Sequence, residues 1–106
     1  SELDTRLVMR PLRNTERVLT NAGVERLLEK ERTLGSTIKF EDIVPEVSGV
    51  YPRVMLNGEM DAGAWSCGMV AGLIHDVPTV RELLDRIMEE AEALIRKRLA
   101  RTLEAV

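Results

Sequence analysis

The residues best suited to chemistry lie in one glycine-rich segment, residues 57–74. Its sequence is Asn-Gly-Glu-Met-Asp-Ala-Gly-Ala-Trp-Ser-Cys-Gly-Met-Val-Ala-Gly-Leu-Ile, and it holds four of the seven glycines in the chain. Gly58 and Gly63 suit tight backbone turns, because glycine adopts backbone angles that other residues avoid. Gly68 and Gly72 are four residues apart on a predicted helix, which leaves one helix face without side chains. We therefore expect another surface to pack very closely against that face.

Ser66, inside this segment, has two interpretations. At or near a helix N-terminus, its hydroxyl, the unpaired backbone N–H groups and the positive end of the helix dipole would together suit an anion such as a phosphate. Alternatively, Ser66 only caps the helix, and Gly68 and Gly72 only allow helix packing. Spacing alone favours this second interpretation, because serine is an ordinary cap residue and the pattern matches no standard phosphate loop.

Other reactive side chains are weaker candidates. His75 is the only histidine, and the adjacent Asp76 points in a different direction, which does not suit a proton relay. Cys67 has no histidine nearby as a base, so we interpret it as an inert, partly buried thiol. Glu59 and Asp61 lack further oxygen ligands for a cation and should be solvated. No catalytic or metal-binding residue is therefore assigned.

Four methionines could line a ligand pocket, but methionine is first a residue that fills gaps in cores. They are Met55, Met60, Met69 and Met88.

Composition and charge limit the class of protein. With 106 residues, the chain is one domain or a piece of one. Hydrophobic residues make up 44% and charged residues 31%, which is typical of a folded protein rather than a disordered one. The net charge is −3 and both signs are interleaved, so no basic stripe is available for DNA or RNA. We expect no nucleic-acid partner.

The sequence also predicts a cytoplasmic protein. The longest uninterrupted apolar stretch, residues 68–74, falls far short of the ~20 residues that span a bilayer. The first residues lack the basic and apolar regions of a signal peptide, and the single Cys67 cannot form an intrachain disulfide. We therefore expect no membrane partner and a reducing environment.

The elements that must position these residues are mainly α-helical, because the chain has only three aromatic residues and a core rich in Leu, Ile, Val, Met and Ala favours helices. A short β-hairpin near the N-terminus is predicted from residues 5–9 and 15–20, which are β-compatible runs separated by turn residues. Residues 16–19 could equally begin the helix that follows.

Capping residues mark three short helices. Asn21 and Gly35 are suited to the start and end of the first. The second lies between residues 41 and 48, with Gly49 as its stop and Pro45 tolerable only in its first turn. The third starts around Pro52 and ends at the Asn-Gly pair at residues 57–58.

The clearest element is one long amphipathic helix over residues 80–103. Thr79 and Glu82 fit a capping box, and Glu82/Arg86 and Glu92/Arg96 are spaced as i,i+4 ion pairs on its polar face. Its apolar residues follow the helical period, but the preceding elements are short and offer limited apolar area. We infer that part of the surface that covers this helix lies elsewhere.

Several separate patches resemble the nitronate monooxygenase (2-nitropropane dioxygenase) family. Residues 63–79, Gly-Ala-Trp-Ser-Cys-Gly-Met-Val-Ala-Gly-Leu-Ile-His-Asp-Val-Pro-Thr, are similar to its Gly-x-Trp-Ser-x-Gly segment followed by Gly-Leu-Ile and an acidic-Pro-Thr helix start. Residues 10–18, Arg-Pro-Leu-Arg-Asn-Thr-Glu-Arg-Val, resemble its Arg-x-x-x-Asn-Thr-x-Arg-Val run. Residues 41–43 and 47–49 match a further patch. The resemblance thus covers nearly the whole chain.

This resemblance implies the C-terminal fragment of a (β/α)8-barrel flavoprotein that binds FMN. Residues 1–62 would form the small lid domain, and residues 63–106 the flavin-proximal segment and a closing helix. The barrel, which needs about 250 residues, and the catalytic histidine of the family would lie in an N-terminal portion acting as this chain's partner. NAD(P)H would be the co-substrate, and nitronate oxidation or quinone reduction the activity of the whole enzyme.

Carried over residue by residue, the resemblance implies flavin contacts at Ser66, Trp65, Gly68 and Met69. Some family members have glutamine at the position of Met69, and the thioether here favours the quinone-reductase-like branch. The alternative hypothesis, from a different functional class, is a free-standing helical module without catalytic activity, which forms homo-oligomers through the uncovered face of its long helix.

Overall fold

The computed structural model describes residues 1–104, and they form two compact units. The first unit is Ser1–Ile74, and the second begins at His75. The first contains a two-stranded antiparallel hairpin and short helices, whereas the second contains the long helix. The mainly helical class with an N-terminal hairpin is therefore confirmed. The division into residues 1–62 and 63–106 follows the lid and flavin-proximal roles that the resemblance implies, and it stays a prediction.

The hairpin pairs β1 (Thr5–Val8) with β2 (Glu16–Leu19), in a register that places Thr5 opposite Leu19 and Val8 opposite Glu16. Residues 16–19 therefore form a strand and do not begin the following helix. The strand conformation is stabilised on both edges of β2, because Val18 also forms a β-bridge with Ser66. Its side chain is completely buried.

Helix α1 (Ala22–Leu34) begins and ends where the sequence predicts. The Asn21 side chain accepts a hydrogen bond from the Val24 N–H (3.0 Å), which satisfies one unpaired donor of the first turn. Gly35 ends the helix with a positive φ of 53°. The helix buries Gly23, Val24 and Leu27 against the rest of the first unit.

Helices α2 (Phe40–Val47) and α3 (Val50–Asn57) follow. Pro45 is the sixth residue of α2, so the prediction that it is tolerated only in the first turn is wrong. A proline there leaves the carbonyl of Glu41 without its helical donor. Both residues are exposed, so water can replace the lost hydrogen bond to that carbonyl.

The core of the first unit is aliphatic. Its completely or nearly completely buried members are Leu27, Ile43, Val8, Val18, Val24 and Val50. The expectation that Met55, Met60, Met69 and Met88 fill the core is wrong, because all four are exposed and the buried methionine is Met9. The core of the first unit is formed instead by Met9 and by aliphatic side chains from the hairpin, α1, α2 and the segments at Ile38 and Ala64.

A buried carboxylate lies beside this core. Glu46, on α2, is almost completely buried, and its side chain accepts a hydrogen bond from Lys30 Nζ at 2.8 Å. Arg26 lies 4.0 Å from the same carboxylate. These cations offset the free-energy cost of removing the charge from water, and they tie α1 to α2.

The second unit begins its helix with the predicted capping box. The Glu82 N–H donates to Thr79 Oγ1 (3.3 Å), and the Thr79 N–H donates to Glu82 Oε2 (2.8 Å). Helix α4 (Val80–Ala93) continues through a π-helical stretch, Leu94–Leu99, into α5 (Ala100–Glu104). We call residues 80–104 the long helix.

Arg86 does not form the predicted pair with Glu82. It donates two hydrogen bonds to Asp76, at 2.8 and 3.4 Å, because Glu82 is already occupied by the cap. The hydrogen bond from Arg86 holds the pKa of the Asp76 carboxyl below its ordinary value, although desolvation acts in the opposite direction. The pair ties the segment before the helix to the second helical turn. The other predicted pair, Glu92 with Arg96, is present at 3.6 Å.

Removing Arg86 should therefore raise the pKa of Asp76. A lowered folded-state pKa stabilises the folded form above the ordinary carboxyl range, and this stabilisation is lost as the pH falls through the lowered pKa. In Arg86→Gln, an NMR titration of the Asp76 carboxyl carbon should show a pKa close to that of a free aspartate. Arg81→Gln is the matched control and should leave this pKa unchanged. An unchanged pKa in Arg86→Gln would contradict the assignment.

No helix within residues 1–104 combines the length and the apolar character needed to cross a lipid bilayer.

Candidate functional site

Residues 65–67, within the segment that resembles the nitronate monooxygenase motif, lie along the edge of the hairpin. The Leu19 N–H donates to the Trp65 carbonyl oxygen (3.3 Å), and the Cys67 N–H donates to the Arg17 carbonyl oxygen (3.1 Å). Together with the isolated antiparallel bridge between Val18 and Ser66, these bonds hold residues 65–67 against the edge of β2.

The prediction that Ser66 caps a helix is wrong. The next helical element is a short 3₁₀ turn, Met69–Leu73, and Gly68 is its capping residue. The backbone N–H of Ser66 donates to the hydroxyl of Tyr51 at 2.8 Å. It is thus not available as part of an anion-binding group of N–H donors.

The close backbone packing expected at Gly68 occurs elsewhere. A Cβ at Gly68 would meet only the Val70 side chain, at an ordinary 3.5 Å. A Cβ at Gly63 would instead overlap the Glu46 carbonyl oxygen, and one at Gly23 would lie 2.5 Å from the Gly63 Cα. The tight contact therefore joins α1, α2 and the loop that leads into Trp65 and Ser66. It fixes the position of this loop relative to the two helices.

The Ser66 hydroxyl lies at the centre of a polar cluster with Tyr51 and Glu16. Tyr51 Oη lies 2.8 Å from Ser66 Oγ and donates to it, and Ser66 Oγ in turn donates to Glu16 Oε1. Ser66 and Tyr51 are exposed, and Glu16 is half-buried. A carboxylate at this hydroxyl repels an anion, so the cluster suits a neutral hydrogen-bonding ligand better than a phosphate.

The four residues that the resemblance implies as flavin contacts have different environments. Ser66, Gly68 and Met69 are exposed. Trp65 is half-buried, packs against the small cluster formed by Val50, Val54 and Ala62, and directs its Nε1 toward the Met60 carbonyl oxygen at 3.4 Å. Trp65 thus anchors the segment, and we call the other three residues, each of which is exposed, the exposed strip.

Tyr51 and Glu16 were not identified from the sequence. They are 15 and 50 residues from Ser66 in the chain, so no local spacing connects them to it. Tyr51 holds both the backbone and the side chain of Ser66, and Glu16 determines which way the serine hydroxyl points. Both act on the orientation of Ser66.

The weaker candidates remain apart from this cluster. Cys67 is half-buried, as predicted, and its sulfur lies 3.7 Å from the Gly68 carbonyl oxygen. His75 is exposed. Glu59 pairs with Arg53 at 2.7 Å, and Asp61 accepts the Ala22 N–H at 2.9 Å. The two carboxylates therefore serve separate local contacts.

No protein-family model matches this sequence.

Proposed function

We propose that this chain is the C-terminal part of an FMN-dependent oxidoreductase of the nitronate monooxygenase type, which oxidises nitronates or transfers electrons from NAD(P)H to quinones. One observation carries the proposal. Ser66, Gly68 and Met69, which the resemblance implies as flavin contacts, are all exposed, and Ser66 is hydrogen-bonded to the exposed Tyr51. A ligand held by another part of the polypeptide could lie against the exposed strip.

In this proposal the chain positions the flavin and takes no part in bond making. A barrel portion of about 250 residues would hold FMN, which supplies the hydride and electron transfer when bound. Ser66 would contact the neutral ring system, because Glu16 disfavours the phosphate at this position. Gly68 would allow close approach, since nothing but Val70 lies near the place of its missing Cβ. Met69, more than half exposed, would cover an edge of the ring.

The orientation of the serine hydroxyl follows from its partners. Its proton points to Glu16, and its oxygen accepts from Tyr51. A ring carbonyl that takes the serine proton must therefore compete with Glu16, whereas a ring N–H can donate to the remaining lone pair without disturbing the cluster. Ser66 is thus best prepared to accept a hydrogen bond. The cytoplasmic location belongs to the same proposal.

The test uses the polypeptide translated from the complete reading frame that contains this sequence. It should purify with bound FMN, and Ser66→Ala should weaken FMN binding about tenfold, the effect of one lost hydrogen bond in a partly desolvated site. Ser36→Ala, at an exposed serine in a turn of the same unit, is the matched control and should bind FMN normally. Flavin absorbance after dialysis gives the measurement.

Two results would contradict this proposal. One is a complete polypeptide that neither retains nor takes up FMN. The other is Ser66→Ala with the affinity and flavin spectrum of the unchanged protein. Residues 1–106 alone should bind FMN weakly or not at all, because the phosphate-binding loops would belong to the barrel.

A second candidate function is a helical module that forms homo-oligomers without catalytic activity. The observation that favours it is the exposed apolar side of the long helix, where Leu84, Ile87 and Ile95 are each more than half exposed. This function would require no flavin.

A further inference from the structure

The long helix has an apolar stripe that is exposed along its whole length. A helix of 25 residues is about 37 Å long, and an apolar surface of this extent is typical of an interaction site. The large residues of the stripe, each at least 44% exposed, are Val80, Leu83, Leu84, Ile87, Met88, Leu94, Ile95, Leu99 and Leu103.

The π-helical stretch Leu94–Leu99 keeps this stripe continuous. At the α-helical period, Leu99 and Leu103 would drift away from the side that carries Ile87 and Ile95. A π turn takes more residues per revolution, so it rotates both leucines back toward that side. The wide turn therefore extends the apolar surface over the final part of the described helix.

The charges of the long helix are segregated along its length. Residues 80–92 contain five acidic and two basic residues, and residues 93–104 contain four basic and one acidic residue. The helix dipole favours such an arrangement only in the first and last turns. Glu89, Glu90 and Glu92 lie in the middle of the helix, so the dipole does not account for them.

An apolar groove of about 400 Å³ lies on this helix, and the residues at its two ends have opposite charges. Leu94 and Ala93 lie at its centre, Glu90 at one end, and Lys97 and Arg98 at the other. A two-fold axis through Leu94 exchanges the two ends, so the acidic end of one copy meets the basic end of another. The surface is therefore complementary to itself in the antiparallel orientation.

We propose that two copies of this chain pair through their long helices, antiparallel and crossing near Leu94. The contact is isologous, with Glu90 of each copy opposite Lys97 and Arg98 of the other. A parallel arrangement would place acidic half against acidic half and is disfavoured. The proposal rests on the second candidate function and specifies its partner and orientation. It uses residues of the second unit, and the flavin proposal uses residues of the first, so the failure of one can be distinguished from the failure of the other.

Cysteine cross-linking tests the orientation. In a Cys67→Ser background, Leu94→Cys places two thiols beside the two-fold axis, and mild oxidation should give a covalent dimer. Leu84→Cys is the matched control on the same stripe. In the antiparallel pair its two copies lie about 30 Å apart, too far for a disulfide, so it should stay uncross-linked. Equal cross-linking of both variants would overturn the antiparallel arrangement.

Light scattering after size exclusion tests the pairing itself. The chain should have twice its 11.9 kDa mass at tens of micromolar, and a monomer would overturn the proposal.

Charge-exchange variants test the contact between Glu90 and Arg98. Glu90→Lys should raise the dimer dissociation constant about tenfold, and the double variant Glu90→Lys with Arg98→Glu should return this constant to its original value. Glu89→Lys has the same charge change outside the groove and should have little effect. Equal weakening by Glu89→Lys and Glu90→Lys would exclude the proposed charge contact.

Discussion

Gly63→Ala is expected to lower the free energy of unfolding of the first unit by about 3 kcal/mol or more, from backbone strain and overpacking together. Gly63 is buried and has a φ of 156°. An added Cβ would overlap the Glu46 carbonyl oxygen and lie 2.9 Å from Val50 Cγ2. The carbonyl cannot move easily, because it accepts the Ala64 N–H at 2.7 Å. Urea unfolding followed by circular dichroism measures the loss.

Alanine substitutions at two other glycines are controls, because they distinguish the clash at Gly63 from the general effect of replacing glycine by alanine. Gly68→Ala meets only Val70 at an ordinary distance, so its stability should change by less than about 1 kcal/mol. Gly23→Ala lies in α1, where alanine normally stabilises a helix by about 1 kcal/mol. Here it should destabilise instead, because the new Cβ would lie 2.5 Å from the Gly63 backbone. A stable Gly63→Ala or a stabilised Gly23→Ala would contradict the close contact.

Features determined by neighbouring residues were predicted from the sequence. Asn21 starts α1 and Gly35 ends it, Thr79 and Glu82 cap the long helix, and the two β-compatible runs pair as a hairpin. For the caps, the residues that form the hydrogen bonds are only three or four apart in the chain, and for the hairpin the signal is the β-compatible type of each run and the turn residues between them. Local spacing and residue type therefore contain the information that specifies these elements.

Contacts between distant residues were not predicted. Gly23 and Gly63, forty residues apart, approach each other closely, whereas a Cβ at Gly68 would meet only Val70 at an ordinary distance. Each glycine is compatible with many local structures, and only the packing of α1 against the loop selects this pair. The π-helical stretch was missed for a related reason, because residues 94–99 have ordinary helix-forming side chains.

The candidate site was predicted in part. The backbone turns expected at Gly58 and Gly63 are present, because both glycines have a positive φ. The prediction that Ser66 caps a helix was wrong, because capping tendency is a local property and the Ser66 N–H bonds instead to Tyr51, 15 residues earlier. The same tyrosine and Glu16 change the expected ligand chemistry from an anion to a neutral group, so the distant partners determine what the serine can bind.

Asn21→Ala is expected to destabilise the first unit by about 2 to 3 kcal/mol, because one side chain makes three contacts. Its Oδ1 caps α1 by accepting the Val24 N–H, and its Nδ2 donates to the Gly63 carbonyl oxygen at 2.9 Å and to the Leu19 carbonyl oxygen at 3.2 Å. The cap contributes about 1 kcal/mol, and each further bond about 1 kcal/mol. Urea unfolding of the two proteins measures the difference.

Asn21→Ser separates the cap from the other two contacts. Serine caps helices about as well as asparagine, but it has no amide to reach the Gly63 and Leu19 carbonyls. Asn21→Ser should therefore lower the free energy of unfolding by about 1 to 2 kcal/mol, which places its stability between that of the unchanged protein and that of Asn21→Ala. If Asn21→Ser unfolds like the unchanged protein, the amide does not hold the loop to β2. The expected intermediate stability would mean that the residue starting α1 also fixes the loop that leads into Trp65 and Ser66.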